Sequence, residues 1–264
     1  MPDNANRKPT LLRHDSDGIV SLRLNRPDYN LLSIELLENL CRELENIALD
    51  KKIRVVVIES SGKAFCVGHD LAEMRRNPSK KYIKNLFETC SRMMIKITKI
   101  PQPVIAKVHG AAVAAGCQLV AQCDLAVASD RAEFGTSGIN IGLFCSTPMV
   151  AVTRNLSRKH AMELLLTGEL ISASDAVRIG LINHAVTSRN LDEAVRDLAL
   201  RIRKKSPFAI GLGKDLFYKQ IEEGIEAAYE RASEAITCNM MDEETKLGID
   251  AFLAKKPLPQ WKAK

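Results

Sequence analysis

The sequence predicts an α/β fold, a sheet flanked by helices, followed by a helical extension. Three observations carry this prediction. Apolar runs at 54–59 (RVVVIE) and 103–108 (PVIAKV) read as strands covered on both faces. They alternate with segments whose apolar residues recur every three or four positions, the period of a helix lying on a sheet. The length of 264 residues, 46% hydrophobic and only 5% aromatic, suffices for one large aliphatic core without disulfides or metal.

The elements follow in order. Residues 11–14 and 19–24 flank Asp15-Ser16-Asp17-Gly18, a hairpin pattern with glycine supplying the positive φ. Asn25-Arg26-Pro27 ends the second strand, and Ser33 caps a helix presenting Leu36, Leu37, Leu40, Leu44, Ile47 and Ala48. After the strand at 54–59 comes a loop of small residues at 60–70. A second amphipathic helix is expected at 82–97, a strand at 103–108, a helix at 114–122 and a strand at 124–128. From Ser157 onward helical patterns dominate, at 158–166, 174–179, 191–204, 207–218, 224–238 and 243–254, interrupted by a short strand at 183–186. The expected organisation is a tail over 1–10, an α/β core over 11–200 and a helical region over 201–264. That region has to bury its apolar face on the core or on a neighbouring subunit.

Composition excludes several functions. The 38 Lys and Arg exceed the 32 Asp and Glu by six, but the excess is spread in short pairs and no nucleic-acid-reading motif accompanies it. Nucleic acid is therefore not the expected partner; the run at 80–84 is too short for an RNA-binding helix. No apolar stretch approaches the roughly 20 residues a membrane span needs. The seven cysteines fit neither a zinc ribbon nor a redox CxxC, so no metal site is expected and the compartment reads as reducing. The segment 1–10 is polar and lacks the apolar core of a secretory signal.

Two loops join a buried strand to a helix through small residues: Lys63-Ala64-Phe65-Cys66-Val67-Gly68-His69-Asp70, and the run from His109 to Gln118. Strand exits of this kind are where α/β sheets bind ligands, and helix N-termini offer unpaired N–H groups. Two such groups aimed at one carbonyl oxygen would form an oxyanion hole. The same glycines also suit tight turns and close packing, and spacing alone does not separate the two readings.

Five ordered blocks go beyond spacing: NRPDYNLLSIELL, GKAFCVGHDLAEM, PQPVIAKVHGAAVAAGCQLVAQCDLAVAS, AEFG and ELLLTGELISASDAVRIGLINHAV. Together they resemble the crotonase family of enoyl-CoA hydratases and isomerases over about residues 11 to 260. The resemblance implies a spiral of ββα units with a C-terminal helical oligomerisation region, trimers that can pair into hexamers, and a mitochondrial setting in fatty-acid metabolism. It implies a CoA thioester as substrate or ligand, with no permanently bound cofactor. The thioester carbonyl would be held by the backbone N–H groups of His69 and Ala115, the latter within Ala114-Ala115-Gly116, which occupies the usual glycine triplet.

The acid/base groups depart from the pattern. Typical hydratases carry a glutamate where this chain has Gln118 and a second where it has Gly138. Glutamine cannot take a proton from water at neutral pH, and glycine has no side chain. Ordinary hydration of 2-enoyl thioesters is therefore not expected. The Gly-His-Asp form of the first loop is similar to that of methylmalonyl-CoA decarboxylases in the family, and decarboxylation needs no base. His69 would then bind a carboxylate or return a proton; alternatively it serves only through its backbone. A further alternative is a non-catalytic acyl-CoA binder acting through a partner.

The resemblance also places the adenine against the first loop, Ala64 to Gly68, so that Ala64, Cys66, Val67, Gly68, His69, Asp70 and Gly116 are the expected CoA-binding residues of the two loops. Arg26, Lys63, Lys255 and Lys256 are candidates for the phosphates. Asp70 and Asp124 read as caps or turn holders and His109 as a core or supporting residue. Ser146 and Thr147 could place hydroxyls near the acyl chain or simply start a helix. Cys66, Cys117 and Cys145 lie around the loops without a paired base that would make a nucleophile.

Overall fold

The computed structural model describes residues 8–261, so positions 1–7 of the expected tail lie outside the described residues. The hairpin forms as β1 (Leu11–Ser16) and β2 (Ile19–Leu24), with Asp17 and Gly18 both at positive φ. Ser33 caps α1 (Ile34–Leu49) by accepting from the Leu36 N–H, and its predicted apolar stripe is buried except for the half-buried Ala48. Then come β3 (Val55–Ser60), α2 (Leu71–Arg76), α3 (Lys80–Lys99) and β4 (Val104–Val108). Next are β5 (Ala112–Val113), α4 (Ala115–Gln122), β6 (Leu125–Ser129) and β7 (Glu133–Gly135). A 3-10 turn at Ser137–Ile141 leads to α5 (Ser146–Val152), α6 (Arg158–Thr167), β8 (Ile171–Ser172), α7 (Ala173–Arg178) and β9 (His184–Val186). Helices α8 (Leu191–Arg203), α9 (Pro207–Gln220), α10 (Ile225–Met241) and α11 (Glu243–Leu253) close the chain.

The main sheet has the order β1-β2-β3-β4-β6-β9, antiparallel only between β1 and β2. Its parallel strands are covered on both faces, as RVVVIE predicted. Val56 and Ile58 enter the large core with α1 and α3, while Val55 and Val57 pack with Leu191, Val195 and Ala199 of α8. A second sheet, β5-β7-β8, collects the chain just beyond the strand exits. Two isolated parallel bridges, Leu32 with His69 and Cys66 with Ala112, continue this short layer into the first loop. The three short strands, α2 and α5 lie outside the predicted ranges, although Asp70 reads as a cap and Ser146-Thr147 as a possible helix start. Strands of two or three residues have no alternation to read, and their pairing is set by the loops they clamp.

No residue of α9 or α10 is buried as a whole, although the Lys214 side chain of α9 is, and in α11 only Glu244 is buried. These helices are attached by polar clamps. Lys214 donates to the Ile97 and Gln102 carbonyls at 2.8 and 2.9 Å and pairs with Asp124 at 2.6 Å. Ser206 bonds Glu244, and Arg54 reaches the Lys205 and Trp261 carbonyls. Ile225, Tyr229, Met241, Phe252 and Leu253 remain exposed.

Candidate functional site

The site is built where the exits of β3 and β4 run side by side. The first loop is held from below by Asn30, which is 0% exposed and donates to the Ser61 and Ala64 carbonyls at 2.6 and 2.8 Å. Sequence reasoning missed this residue. Its signal was an asparagine just after a turn, and it does adopt the left-handed backbone (φ 50°) that asparagine tolerates. Further on, the Val113 N–H donates to the Cys66 carbonyl at 2.9 Å and the Cys66 N–H to the Ala111 carbonyl at 3.1 Å. These bonds stitch the two loops together.

The glycines at the seam do what only glycine can. Gly68 sits at φ +100°, and a Cβ there would stand 3.1 Å from the Ala114 methyl and 3.5 Å from the Ala115 nitrogen. The backbone before His69 is thus directly against the start of α4. A Cβ on Gly116 would overlap the Cys66 carbonyl oxygen. Ala114 takes φ 52° and ψ −117°, a conformation suited to glycine, and its N–H donates to the Gly135 carbonyl at 2.8 Å.

Ala115 is the first residue of α4, where an N–H has no intrahelical acceptor. Among the described residues, no backbone or side-chain acceptor engages the N–H of Ala115 or of His69. These are two unengaged donors on adjoining loops, the kind of group that holds a carbonyl oxygen where two of them converge on it. Ala64 and Cys66 are buried behind them and Val67 is half-buried.

Both ring nitrogens of His69 are buried without a hydrogen-bond partner, and the ring packs edge-on against Phe87 of α3 at 5.1 Å. Burial lowers its pKa below the ordinary 6.5, with the Leu32 carbonyl weakly opposing from outside hydrogen-bond geometry. The ring is therefore neutral at physiological pH, with a donor and an acceptor available to a ligand. Asp70 caps α2 through the Glu73 N–H at 2.9 Å and binds Arg26 at 3.0 Å. Burial alone would raise its carboxyl pKa, but the Glu73 N–H and Arg26 together bring it below the usual range. Arg26 also donates to the Leu31 carbonyl at 2.6 Å, so its guanidinium serves the loop rather than a phosphate.

Gln118 lies on α4 and is 4% exposed, its Oε1 buried without a donor. Gly138 is buried in the 3-10 turn, where a Cβ would come 2.5 Å from the Leu143 carbonyl oxygen and 2.9 Å from the Cys145 sulfur. No side chain of any kind fits there on this backbone. Burial pushes the Cys66 and Cys117 thiols up to about 12 and raises that of Cys145, so none is poised as a thiolate. Ser146 starts α5 and bonds the Phe144 carbonyl at 3.3 Å, and Thr147 lines a cavity with Gln118.

The supporting residues fall into place. The His109 ring spans the two strand exits, 3.3 Å from Ser60 Oγ and 3.0 Å from the Gly62 carbonyl. Asp124 accepts from the Val104 N–H at 2.7 Å, from Lys214 and from the Tyr218 hydroxyl at 2.8 Å, a helix-docking role whose partners the sequence did not reveal. Lys63 is exposed and paired with Asp28 at 2.8 Å. Lys255 and Lys256 are exposed at the end of α11, away in sequence from both loops. Among the described residues, no group of three His, Cys, Asp or Glu could hold a metal ion, and no helix is long and apolar enough to cross a membrane.

A family profile described as enoyl-CoA hydratase/isomerase matches residues 14–264. The chain belongs to the enoyl-CoA hydratase/isomerase family. Human enoyl-CoA hydratase domain-containing protein 3, mitochondrial, is 42% identical over 255 residues, 96% of this chain and 84% of that protein. The crystal structure of the human protein superposes with a TM-score of 0.92 at 41% identity, covering 95% of this chain and 99% of that one. An enoyl-CoA hydratase structure from Mycobacterium smegmatis gives a TM-score of 0.94 at 49% identity, covering 96% and 99%. The main sheet, the short layer over the strand exits and the C-terminal helices are thus the crotonase fold of this family. Within it, positions 118 and 138 are filled by a glutamine and by a glycine with no room for a side chain.

Proposed function

We propose that this family member binds a CoA thioester with its carbonyl oxygen between the His69 and Ala115 N–H groups, and that it does not hydrate 2-enoyl thioesters. The observation that carries this reading is the pair of unengaged N–H groups at a site where positions 118 and 138 offer no carboxylate. Hydration needs a group to take a proton from water; an enolate formed without a base does not. Loss of CO2 from a 2-carboxyacyl thioester is such a reaction. The Cα–carboxylate bond breaks and CO2 leaves, its electron pair moves into the thioester as an enolate held by the two N–H groups, and a proton from the protonated His69 ring or from water then adds to Cα.

His69 suits this chemistry. Its unpartnered ring can donate to the departing carboxylate, and the carboxylate in turn favours the protonated ring. The second reading, an acyl-CoA binder without turnover that acts through a partner, is favoured by the same lack of acid/base groups. The exposed apolar face of α9–α11 supports assembly into a homotrimer or hexamer, where Lys255 and Lys256 would reach the CoA phosphates of an adjacent site. The mitochondrial names of the relatives support that compartment and a role in lipid metabolism.

The test is a panel of CoA thioesters followed by mass spectrometry with binding measured in parallel. Malonyl- or methylmalonyl-CoA should lose CO2, and His69→Ala should slow the loss. Binding of thioesters with no turnover selects the second reading. Crotonyl-CoA hydration at ~10 per second, an ordinary enzyme rate, would overturn the proposal.

A further inference from the structure

A cavity of about 840 Å³ lies between α3, α4, α5 and α9. Two helices lead into it from the proposed thioester site. On α4, Gln118 of the cavity wall stands one turn after Ala115, on the same face. On α3, Ser91 of the wall stands one turn after Phe87, which touches His69. Gln118 also presents a buried, unpartnered Oε1 there, a sign that the near end is made to meet something polar.

Beyond this the wall presents apolar side chains, among them Met94, Ala121, Val150 and Phe217, interspersed with polar ones such as Thr98, Gln122 and Asn155. The far end is charged. Lys99 is exposed and forms no ion pair among the described residues. Arg154 is paired with Glu222 at 2.9 Å, but both side chains are more than half exposed (54% and 56%), so the pair exchanges easily for a better acceptor. Asp124, the other acid on the wall, is already engaged by Val104, Lys214 and Tyr218 and offers little free negative charge.

We infer that the cavity seats the acyl chain and selects one ending in a carboxylate, so that the ligand is the CoA monothioester of a dicarboxylic acid. The terminal carboxylate meets Lys99 and Arg154 while the methylenes run along the apolar side chains of the wall. This rests on the acyl-CoA reading above and adds to it a preference at the far end of the chain.

The experiment is calorimetric titration of the full chain with matched pairs, adipyl- against hexanoyl-CoA and suberyl- against octanoyl-CoA, with acetyl-CoA as the short reference. The dicarboxylic member of at least one pair is expected to bind about tenfold tighter, as for a charge-assisted contact. Lys99→Met should collapse that ratio towards one, and Lys99→Arg should keep it. Equal or weaker binding of both dicarboxylic members, with acetyl-CoA still bound, overturns the inference and leaves the acyl-CoA reading standing. Failure of every thioester, acetyl-CoA included, overturns both.

Discussion

Gly116 of α4 rests against the carbonyl of Cys66: a Cβ at position 116 would stand 2.7 Å from the carbonyl carbon and overlap the oxygen. That contact sets the distance between the two loops, and with it the spacing of the His69 and Ala115 N–H groups. Gly116→Ala should push the loops apart. We expect a loss of about 1–3 kcal/mol in denaturant unfolding, the usual range for overpacking, and much weaker thioester binding in titration. Unchanged affinity would mean that the seam does not define the donor spacing.

Ala114 is strained in the opposite sense. At φ 52° and ψ −117° it pays for a conformation that glycine adopts freely, a cost of order 1–3 kcal/mol. Part of the relief on changing it to glycine is cancelled by the greater freedom of glycine in the unfolded chain. Ala114→Gly should therefore stabilise by about 1 kcal/mol and raise Tm by about 2–4 °C. A lower Tm would show that the Ala114 methyl, which faces Gly68, contributes more packing than its backbone costs.

The crowding at Gly138 predicts the outcome of an obvious repair. Putting glutamates back at both departing positions, Gln118→Glu with Gly138→Glu, should not produce a hydratase, because Leu143 and Cys145 occupy the space of any new side chain. The double variant should lose about 1–3 kcal/mol of stability and leave crotonyl-CoA unhydrated in an absorbance assay. Rapid hydration by the variant would show that the 138–145 segment yields readily.

His69 makes stability depend on pH. Burial lowers its folded pKa below 6.5, so below pH 6.5 the unfolded chain takes up a proton that the folded ring still refuses. The contribution is intact above pH 6.5 and is lost as pH falls through the folded value. His69→Gln should remove that part of the slope when urea midpoints are compared between pH 7.5 and pH 5. A ligand carboxylate beside the ring should move its titration upward, visible in the imidazole proton resonances.

The helical extension depends on one buried cation. Lys214 has a side chain 7% exposed and meets Asp124 at 2.6 Å. Asp124→Ala strands that charge and leaves the Tyr218 hydroxyl and Val104 N–H without their acceptor. The expected cost is about 3–5 kcal/mol, with α9 becoming the first segment to exchange its amide hydrogens. Lys214→Met together with Asp124→Ala should cost less than the sum of the single changes.

Much of this protein is legible in its sequence because the relevant physics is local. Apolar periodicity placed the strands from 54 and 103, the Ser33 cap and the long helices, each within a few residues of where it lies. The two small-residue loops also stand out by residue type, and Gln118 and Gly138 stand out against the glutamates of the family the chain resembles, a comparison that needs no coordinates. What only the tertiary structure decided involves residues far apart in the chain. Asn30 holding the Ala64 loop, Phe87 against the His69 ring, Lys214 on Asp124 and the Leu143 carbonyl against Gly138 leave no periodic trace. The short strands that clamp the site are equally silent, because two or three residues become a strand only when another segment is brought beside them. Sequence settled which chemical groups are present at the loops; packing settled which of their N–H groups stay free and which side chains have room to act.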